Sequence, residues 1–304
     1  MEIIRLQYDS RIEEEGTVLC IGFFDGLHLA HRRLAEEAMA IAKAKDRAAG
    51  FMTFTTHVLS FIKNEPFYFL TPIEAKIAYA EAAGFAYFYL LEVDWGLVGQ
   101  DPEVFISRFL SKVDTVVVGF DFSFGVRGLG TPDLLRKQKE FSTVILPEMR
   151  YREWKIGSTG IRRFLKEGDL VTANQLLGTP YAIRGRVVAG KGRGKILGYP
   201  TINLDYDGYL LPKSGVYATR IDIDGIQYGA MTNVGNNPTF FEQTVTLEAH
   251  VFGYDGIAYD KTVTVTFLAF VRDEIRFPDK ERLITQMAAD RIAVLKQLEK
   301  EKIE

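Results

Sequence analysis

The chain has 304 residues, 47% of them apolar and 25% charged, which is typical of a globular protein with two domains. Its net charge of -3 argues against nucleic acid as the main partner, because proteins that bind nucleic acid usually carry a basic excess. No apolar run approaches a membrane span, and the N-terminal segment lacks the apolar core of a signal peptide, so we expect no membrane association. The single cysteine, Cys20, is expected to be a buried thiol in a cytoplasmic protein, whose oligomeric state the sequence leaves open.

The first part of the chain alternates predicted strands with predicted helices. Thr71, Asp101 and Thr131 each precede a proline, and a capping residue followed by proline is a typical helix start. The predicted strands cover residues 17–21, 49–54, 85–91, 115–118 and 143–146. This alternation predicts a Rossmann-like α/β domain with a parallel sheet and helices on both faces, in which ligands bind at the carboxyl ends of the strands.

In the second part of the chain, apolar residues alternate with polar ones, which is typical of antiparallel strands. The predicted strands cover residues 181–188, 216–223, 226–232, 245–252 and 262–270. Asp224 and Gly225 lie between two of them and predict a type I′ hairpin. A final helix is predicted from about Asp279, with an apolar stripe formed by Leu283, Ile284, Met287, Ala288, Ile292, Leu295 and Leu298. We expect an antiparallel barrel or sandwich with a C-terminal helix, and two domains, 1–178 and 179–304.

A dense motif, GFFDGLHLAH, occupies residues 22–31 between a predicted strand and the helix that follows it. Its glycines let a ligand approach the backbone, and a helix start offers N–H groups and a positive dipole to phosphate. His28 and His31 are three residues apart and can face the same phosphate, while His57 follows the next strand and is expected near the same crevice. The residues alone leave three interpretations: a phosphate site that works by positioning and electrostatics, two surface histidines on a turn, or a metal-binding pair.

A second motif, AGKGRGKILGYPTIN, occupies residues 189–203. Its glycines alternate with basic residues, so the loop can offer both backbone N–H groups and cationic side chains to a triphosphate. The spacing is not that of a Walker A loop. The alternative interpretation is a flexible basic hairpin that binds no ligand.

Several motifs occur in the order found in the prokaryotic bifunctional riboflavin kinase/FMN adenylyltransferases, also called FAD synthetases. HLAH resembles that family's H-x-G-H signature, with Ala30 in place of the usual glycine. VVVGFDFSFG at residues 116–125 and GSTGIR at residues 157–162 are similar to two further motifs of its nucleotidyltransferase domain. PTIN and LEAHVF, in the second half of the chain, resemble segments of its kinase domain. The resemblance covers nearly the whole chain.

For residues 1–178 the resemblance implies an FMN adenylyltransferase domain, in which the FMN phosphate attacks the α-phosphorus of ATP and releases pyrophosphate. It implies that His28 and His31 bind the ATP phosphates and stabilise the transition state. Further contacts with the ATP phosphates are expected from Gly22, Asp25, Gly26, Ser158, Thr159 and Arg162. Contacts with the flavin are expected from His57, Asp121 and Phe122.

For residues 179–304 the resemblance implies a β-barrel riboflavin kinase domain. Glu248 is expected to be the general base that takes the proton of the riboflavin 5′-hydroxyl. Thr201 and Asn203 are expected to hold Mg²⁺, which prefers oxygen ligands. Phosphate contacts are expected from Gly190, Lys191, Gly192, Arg193 and Gly194, and flavin contacts from Arg272 and Glu274. ATP is then the expected co-substrate, Mg²⁺ the cofactor, and FMN and FAD the products.

Three other interpretations stay open. In the first, one half of the chain alone is active, and the altered H-x-G-H signature makes the kinase the surviving activity. In the second, the chain is a flavin-binding regulator without turnover, although a protein that only binds has no need of a kinase base such as Glu248. In the third, the first domain transfers a cytidylyl group to a phosphorylated alcohol, although the kinase-like second half favours flavin.

Overall fold

A computed structural model describes residues 1–190, 198–206, 208–239 and 242–300. The chain divides into two compact units, Met1–Ser158 and Thr159–Glu304. The second unit therefore includes a segment that the sequence analysis assigns to the first domain, between residue 159 and the predicted boundary after residue 178. Side-chain hydrogen bonds explain this, since Asn174 donates to the carbonyl of Phe267 and accepts from the N–H of Tyr181.

The first unit is built on a parallel sheet, as predicted, but the sheet has six strands where the sequence predicts five. Its strands are β1 (Glu2–Leu6), β2 (Val18–Ile21), β3 (Ala49–Phe54), β4 (Tyr87–Leu91), β5 (Thr115–Gly119) and β6 (Ser142–Leu146), in the order β1-β4-β3-β2-β5-β6. The sheet buries both faces, because Leu19 and Ile21 belong to one apolar cluster whereas Val18 and Cys20 belong to another. The prediction that Cys20 is a buried thiol is confirmed.

Helices connect these strands and cover the sheet. They are α1 (Leu29–Lys45), α2 (Val58–Lys63), α3 (Ile73–Ala82), α4 (Trp95–Val98), α5 (Pro102–Phe109) and α6 (Pro132–Arg136), followed by a small hairpin, β7 (Arg150–Tyr151) and β8 (Trp154–Lys155). Asp101 and Thr131 cap their helices as predicted. The prediction that Thr71 caps α3 is wrong by one residue: Pro72 is the cap, because the N–H of Thr71 donates to the carboxylate of Asp25.

The second unit is a closed antiparallel barrel, with two helices before it and one after it. The helices before it are α7 (Ser158–Glu167) and α8 (Leu170–Leu177), and the helix after it is α9 (Lys280–Lys300). The barrel strands are β9 (Ala182–Val188), β10 (Ile202–Asp205), β11 (Gly215–Ile223), β12 (Ile226–Thr239), β13 (Glu242–Val251) and β14 (Thr262–Asp273), in the order β10-β13-β12-β11-β14-β9. Asp224 and Gly225 both have positive φ, as a type I′ turn requires.

The buried face of α9 differs from the predicted apolar stripe. Ile292, a predicted member of the stripe, is 57% exposed, whereas Asp290 is 3% exposed and lies on the same face as the buried Val294 and Leu298. The cause is an ion pair, because the guanidinium of Arg272 on β14 donates two hydrogen bonds, of 2.8 and 2.6 Å, to the Asp290 carboxylate. This pair fixes the rotation of α9 against the barrel.

Replacing Asp290→Ala should lower the free energy of unfolding of the second unit by about 3 kcal/mol, because it leaves the Arg272 guanidinium without its partner in a largely buried place. Urea unfolding monitored by circular dichroism measures the change. Glu299→Ala, which removes an exposed carboxylate from the same helix, is the matched control and should have little effect. Equal stabilities of the two variants would contradict the role given to the ion pair.

Candidate active sites

The strand order creates a switch point between β2 and β5. After β2 the chain adds β3 and then β4 on one side, and later returns to add β5 and β6 on the other side. Loops that leave the carboxyl ends of β2 and β5 therefore diverge and leave a crevice, which is where open α/β sheets bind ligands. The loop after β2 carries the predicted phosphate motif, and the loop after β5 carries Asp121 and Phe122.

The loop between β2 and α1 is held in a strained backbone conformation. Phe24, Gly26 and Leu27 have φ values of 53°, 95° and 42°, and two of these residues are not glycine. Left-handed non-glycine residues persist where the surrounding structure enforces them, and they concentrate at functional sites. We name residues 22–28 the phosphate loop, after the function predicted for it.

Side chains fix the phosphate loop by donating hydrogen bonds to its backbone carbonyl groups. The carbonyl of Phe23 accepts from Thr53 Oγ1 at 3.0 Å and Lys76 Nζ at 2.6 Å, that of Asp25 from Ser158 Oγ at 2.6 Å, and that of Leu27 from Arg32 Nε at 2.8 Å. The Asp25 carboxylate accepts the N–H groups of Leu70 and Thr71. Carbonyl oxygens held in this way are kept from facing, and repelling, an anionic ligand.

His28 and His31 form a stacked pair at the start of α1. Their ring centroids lie 3.6 Å apart with an angle of 16° between the planes. His28 is 4% exposed and caps α1, because its Nδ1 accepts the backbone N–H of His31 at 3.3 Å. Since Nδ1 is the acceptor, a neutral His28 carries its proton on Nε2.

Both imidazoles are held in the neutral form. Burial lowers the pKa of His28 to about 4, and the charge of Asp121 opposes this effect without overcoming it. Burial also lowers the pKa of His31 well below its ordinary value, and the charges of His28 and Lys76 lower it further. In the described part of the chain His31 Nδ1 is buried without a hydrogen-bond partner, and a buried lone pair is tolerated better than a buried, unpaired N–H. The favoured tautomer of each ring therefore has its donor on Nε2.

An ion pair flanks the histidines. Lys155 Nζ lies 2.7 Å from the carboxylate of Asp121 and 4.5 Å from the centre of the Phe120 ring. Both charges act on His28, where Asp121 raises and Lys155 lowers its pKa. Sequence reasoning missed Lys155, a cation beside a predicted phosphate site. Its one signal was its place in the chain, just before the GSTGIR motif.

His57 joins an aromatic cluster next to the phosphate loop. Its ring stacks on Phe67 at 5.1 Å and meets Phe23 edge to face at 5.3 Å. The sequence predicts that three histidines lie near one crevice. In the structure His57 contacts Phe23 and His31 contacts Phe24, so these two histidines contact neighbouring residues of the phosphate loop. A cavity of about 550 Å³ adjoins this cluster, and its lining combines the aromatic residues Phe61, Phe67 and Trp95 with polar residues that include Thr56, Ser60, Asn64 and Glu65.

The remaining predicted residues of the first site occupy three different places. Gly22 donates its backbone N–H to the carbonyl of Met52, and Phe122 stacks on Phe124 with the ring centroids 5.6 Å apart. Thr159 and Arg162 lie on α7, which the chain's division into compact units assigns to the second unit.

The barrel carries a row of polar side chains across three neighbouring strands. Asn203 on β10 pairs with Glu248 on β13, and Glu248 pairs with Asn233 on β12. Residues paired directly across antiparallel strands project to the same face, so these three side chains share one face. Their chain neighbours Leu204 and Leu247 are buried inside the barrel, whereas the three polar residues are half-buried. Asn233 did not stand out in the sequence, because only the register of the strands places it beside Glu248.

Two glycines make room beside this row. A Cβ atom at Gly190 would clash with the side-chain amide of Asn203, and one at Gly235 would lie 3.2 Å from the Glu274 carboxylate and 2.5 Å from the Asn233 amide. The structure therefore brings Gly190 and Glu274 to the two ends of the Asn203–Glu248–Asn233 row. Lys191, Gly192, Arg193 and Gly194 lie outside the described residues.

The segment before β10 is anchored by His250. Its Nδ1 lies 2.8 Å from the carbonyl oxygen of Pro200, and its ring meets Tyr199 edge to face. This contact fixes the stretch that contains Thr201. Arg272, predicted to contact the flavin, donates hydrogen bonds from its guanidinium to Asp290 and to the carbonyl of Asp273.

Comparison with known proteins identifies both halves. A FAD synthetase family model matches residues 10–160, and a riboflavin kinase family model matches residues 177–298. A bifunctional riboflavin kinase/FMN adenylyltransferase of Listeria monocytogenes is 35% identical over 282 residues, covering 90% of either chain. The chain belongs to this bifunctional family. Proteins of the same name from Bacillus subtilis and Escherichia coli are 32% and 31% identical, over 92% and 96% of either chain.

A solved structure shares the whole fold. The crystal structure of a Streptococcus pneumoniae protein described as a macrolide-efflux protein has a TM-score of 0.86 and 28% identity, and the likeness covers 97% of this chain and 99% of that one. Within the residues described for this member of the bifunctional family, no helix has the length and apolar character needed to cross a membrane.

The buried, neutral His28 should make the first unit sensitive to acid. The pKa of His28 is 6.5 in the unfolded chain and about 4 in the folded one, so at a pH between these values the unfolded chain binds a proton that the folded chain does not. The free energy of unfolding therefore decreases as the pH falls from 6.5 to about 4. The shift corresponds to about 3 kcal/mol. Between neutral pH and pH 4 the wild type should therefore lose about this much more stability than His28→Asn, a variant that keeps a capping side chain. Chemical unfolding at a series of pH values measures this difference, and identical pH profiles for the two proteins would show that folding does not lower the pKa of His28.

Proposed function

We propose that this protein phosphorylates riboflavin to FMN and adenylylates FMN to FAD, using ATP in both reactions. The observation that carries the proposal is that one chain contains two such sites. The first is the neutral pair of histidines at the start of α1, and the second is the Asn203–Glu248–Asn233 row with its two neighbouring glycines. Family membership supports it, and neither site alone accounts for the whole chain. We assign the adenylyl transfer to the domain 1–178, the phosphorylation to the domain 179–304, and both reactions to the cytoplasm, where the unpaired thiol of Cys20 is stable.

In the phosphorylation, Glu248 acts as the general base. Its carboxylate takes the proton of the riboflavin 5′-hydroxyl, the oxygen attacks the γ-phosphorus of ATP, and ADP leaves. Gly190 and Gly235 let the side chains of Asn203 and Asn233 lie at the two ends of the row that contains Glu248. Arg272 and Glu274 close one side of the flavin pocket, with Arg272 held in place by Asp290.

Mg²⁺ fits the chemistry of the barrel site. Thr201 and Asn203 offer neutral oxygen ligands, and Gly190, which has no Cβ atom, lets the backbone lie directly against the Asn203 amide. The described residues contain no cluster of three or more His, Cys, Asp or Glu side chains. Mg²⁺ rarely uses a cage made wholly of protein, and it usually shares its ligands with substrate phosphates and water. When bound, it would neutralise charge on the phosphates of ATP.

In the adenylyl transfer, His28 and His31 stabilise charge without taking a proton. As neutral rings with Nε2–H donors, they hydrogen-bond the phosphate oxygens of ATP while the FMN phosphate attacks the α-phosphorus and pyrophosphate leaves. Lys155 and the start of α1 add positive potential, and the phosphate loop residues Gly22, Asp25 and Gly26 position the phosphates. Ser158, Thr159 and Arg162 complete the triphosphate contacts.

The flavin ring of FMN suits the aromatic cavity of the first unit. His57 and Phe67 stack on one another there, and Phe67 and Trp95 line the cavity. Flat aromatic walls match the isoalloxazine ring, which binds by stacking and apolar contact. Asp121 and Phe122 follow β5 and close the crevice on its other side.

Glu248→Gln should lower riboflavin phosphorylation by roughly 10²–10⁴-fold, because it removes a positioned base and keeps the size of the side chain. FMN-to-FAD conversion should be unchanged, since that chemistry uses the other site. The measurement is incubation with riboflavin or FMN, ATP and Mg²⁺, followed by chromatographic separation of the flavins. Excess chelator, added to the wild type, should abolish FMN formation. A folded variant that loses both activities equally would contradict the assignment of two sites, and a wild type that makes no FMN would contradict the proposed function.

His31→Asn should lower FAD formation from FMN by roughly 10²–10³-fold, the effect of losing one preorganised donor to a transition-state oxygen. Ala30→Gly is the control on the same helix turn. Ala30 lies in α1 with negative φ, so glycine is not required there and the reaction rate should change little, at a loss of about 1 kcal/mol of helix stability. A large gain in rate for Ala30→Gly would show that the Ala30 methyl group obstructs the substrate.

A further inference from the structure

A buried lysine lies beside the phosphate loop and has no role in the reactions described above. Lys76 on α3 has no solvent-exposed surface. Among the residues that the structure describes, no ion pair joins it to a carboxylate. Burying a cation without a partner is costly, so the surrounding groups must stabilise it, and lysine is almost never buried in this way without a partner.

The groups that stabilise Lys76 belong mainly to the phosphate loop. Its Nζ donates to the carbonyl of Phe23 at 2.6 Å and lies 4.2 Å from the centre of the Phe23 ring. Thr53 Oγ1, at 3.5 Å, and the Phe69 ring, at 5.7 Å, complete the surroundings. One ammonium group therefore contacts both the backbone carbonyl and the aromatic ring of Phe23, next to the left-handed turn at Phe24.

The charge of Lys76 also reaches the histidine pair. It lowers the pKa of His31, in addition to the effects of burial and of His28. Burial lowers the pKa of Lys76 itself to about 8, and the charge of Asp25 opposes this. The ionisable groups that act on Lys76 and His31 are thus Asp25 on the phosphate loop and His28 on the same turn as His31.

We propose that Lys76 is a positioning residue for adenylyl transfer: its ammonium group anchors the Phe23 carbonyl and supplies a fixed positive charge next to the stacked histidine pair. The anchor maintains the strained turn from which α1 starts, and so fixes where the two Nε2–H donors point. The charge opposes protonation of His31 and so helps to keep that ring neutral. This inference rests on the proposed function of the first site.

The test compares Lys76→Met with Lys112→Met, both in the wild-type full-length chain. Methionine keeps the apolar stem of lysine and removes its charge, and Lys112 forms an exposed ion pair with Glu13 in the same unit. Lys76→Met should lower kcat for FAD formation from FMN by roughly 10–100-fold with a smaller change in KM, because ground-state contacts remain and aligned donors are lost. Lys112→Met should behave as the wild type does.

A second readout separates positioning from a merely structural role. The chain has four histidines, so ¹⁵N-histidine NMR with single His→Asn variants assigns every imidazole. In Lys76→Met the titration of His31 should move to higher pH, because a repelling charge has gone, whereas Lys112→Met should leave it where it is in the wild type. Lys76→Gln, which keeps an N–H donor without the charge, serves if the methionine variant does not fold, and should show the same titration shift with a smaller loss of kcat.

A folded Lys76 variant with the wild-type kcat, or with an unchanged His31 titration, overturns the inference. If instead the wild type forms no FAD from FMN, the proposed function of the first site fails, and that result is distinct because it appears before any variant is made.

Discussion

The first site depends on one constraint, which is that the chain must leave β2 and enter α1 through a turn that ordinary residues avoid. Phe24 and Leu27 accept left-handed conformations that each cost of order 1–3 kcal/mol, and the surrounding groups must offset this. The hydrogen bonds that do so come from other parts of the unit, including β3, α3 and the start of α7. Each of them also removes a carbonyl oxygen from the path of an anion. The same contacts thus stabilise the turn and prepare it to bind phosphate.

The second site follows a different rule. No strained turn is seen in its described part, where strand register does the positioning by aligning Asn203, Glu248 and Asn233 on three adjacent strands. A closed barrel fixes this register because each strand has two hydrogen-bonded neighbours, so a slip by one residue would turn the row into the core. Glycine is needed at Gly190 and Gly235 for space, not for an unusual φ. The residues of the first site are thus positioned by a loop, and those of the second site by the pairing of adjacent strands.

Much of this arrangement could be predicted from the sequence, because it depends on local patterns. Strand–helix alternation gave the parallel sheet, Asp224 and Gly225 gave the hairpin, and the order of motifs gave the family. The rest depends on contacts between distant segments. Thr71 has the features of a helix cap, but its N–H is taken by Asp25, which lies far earlier in the chain. Ile292 belongs to an apolar stripe, but the Arg272–Asp290 pair decides which face of α9 is buried. Lys76, Lys155 and Asn233 carried little signal because nothing near them in the sequence marks their neighbours in space.

The attachment of α8 to the barrel has a consequence for how this protein can be divided. Asn174 binds both the Tyr181 N–H and the Phe267 carbonyl, and the N–H of Lys213 donates to the Leu165 carbonyl at the end of α7. Thr159 and Arg162 lie on α7, which therefore folds with the kinase half, although their motif resembles one of the adenylyltransferase half. A fragment cut after residue 178 would separate α7 and α8 from the barrel groups that bond to them. A kinase fragment meant to fold alone would have to begin before α7, and not at the boundary that the motifs suggest.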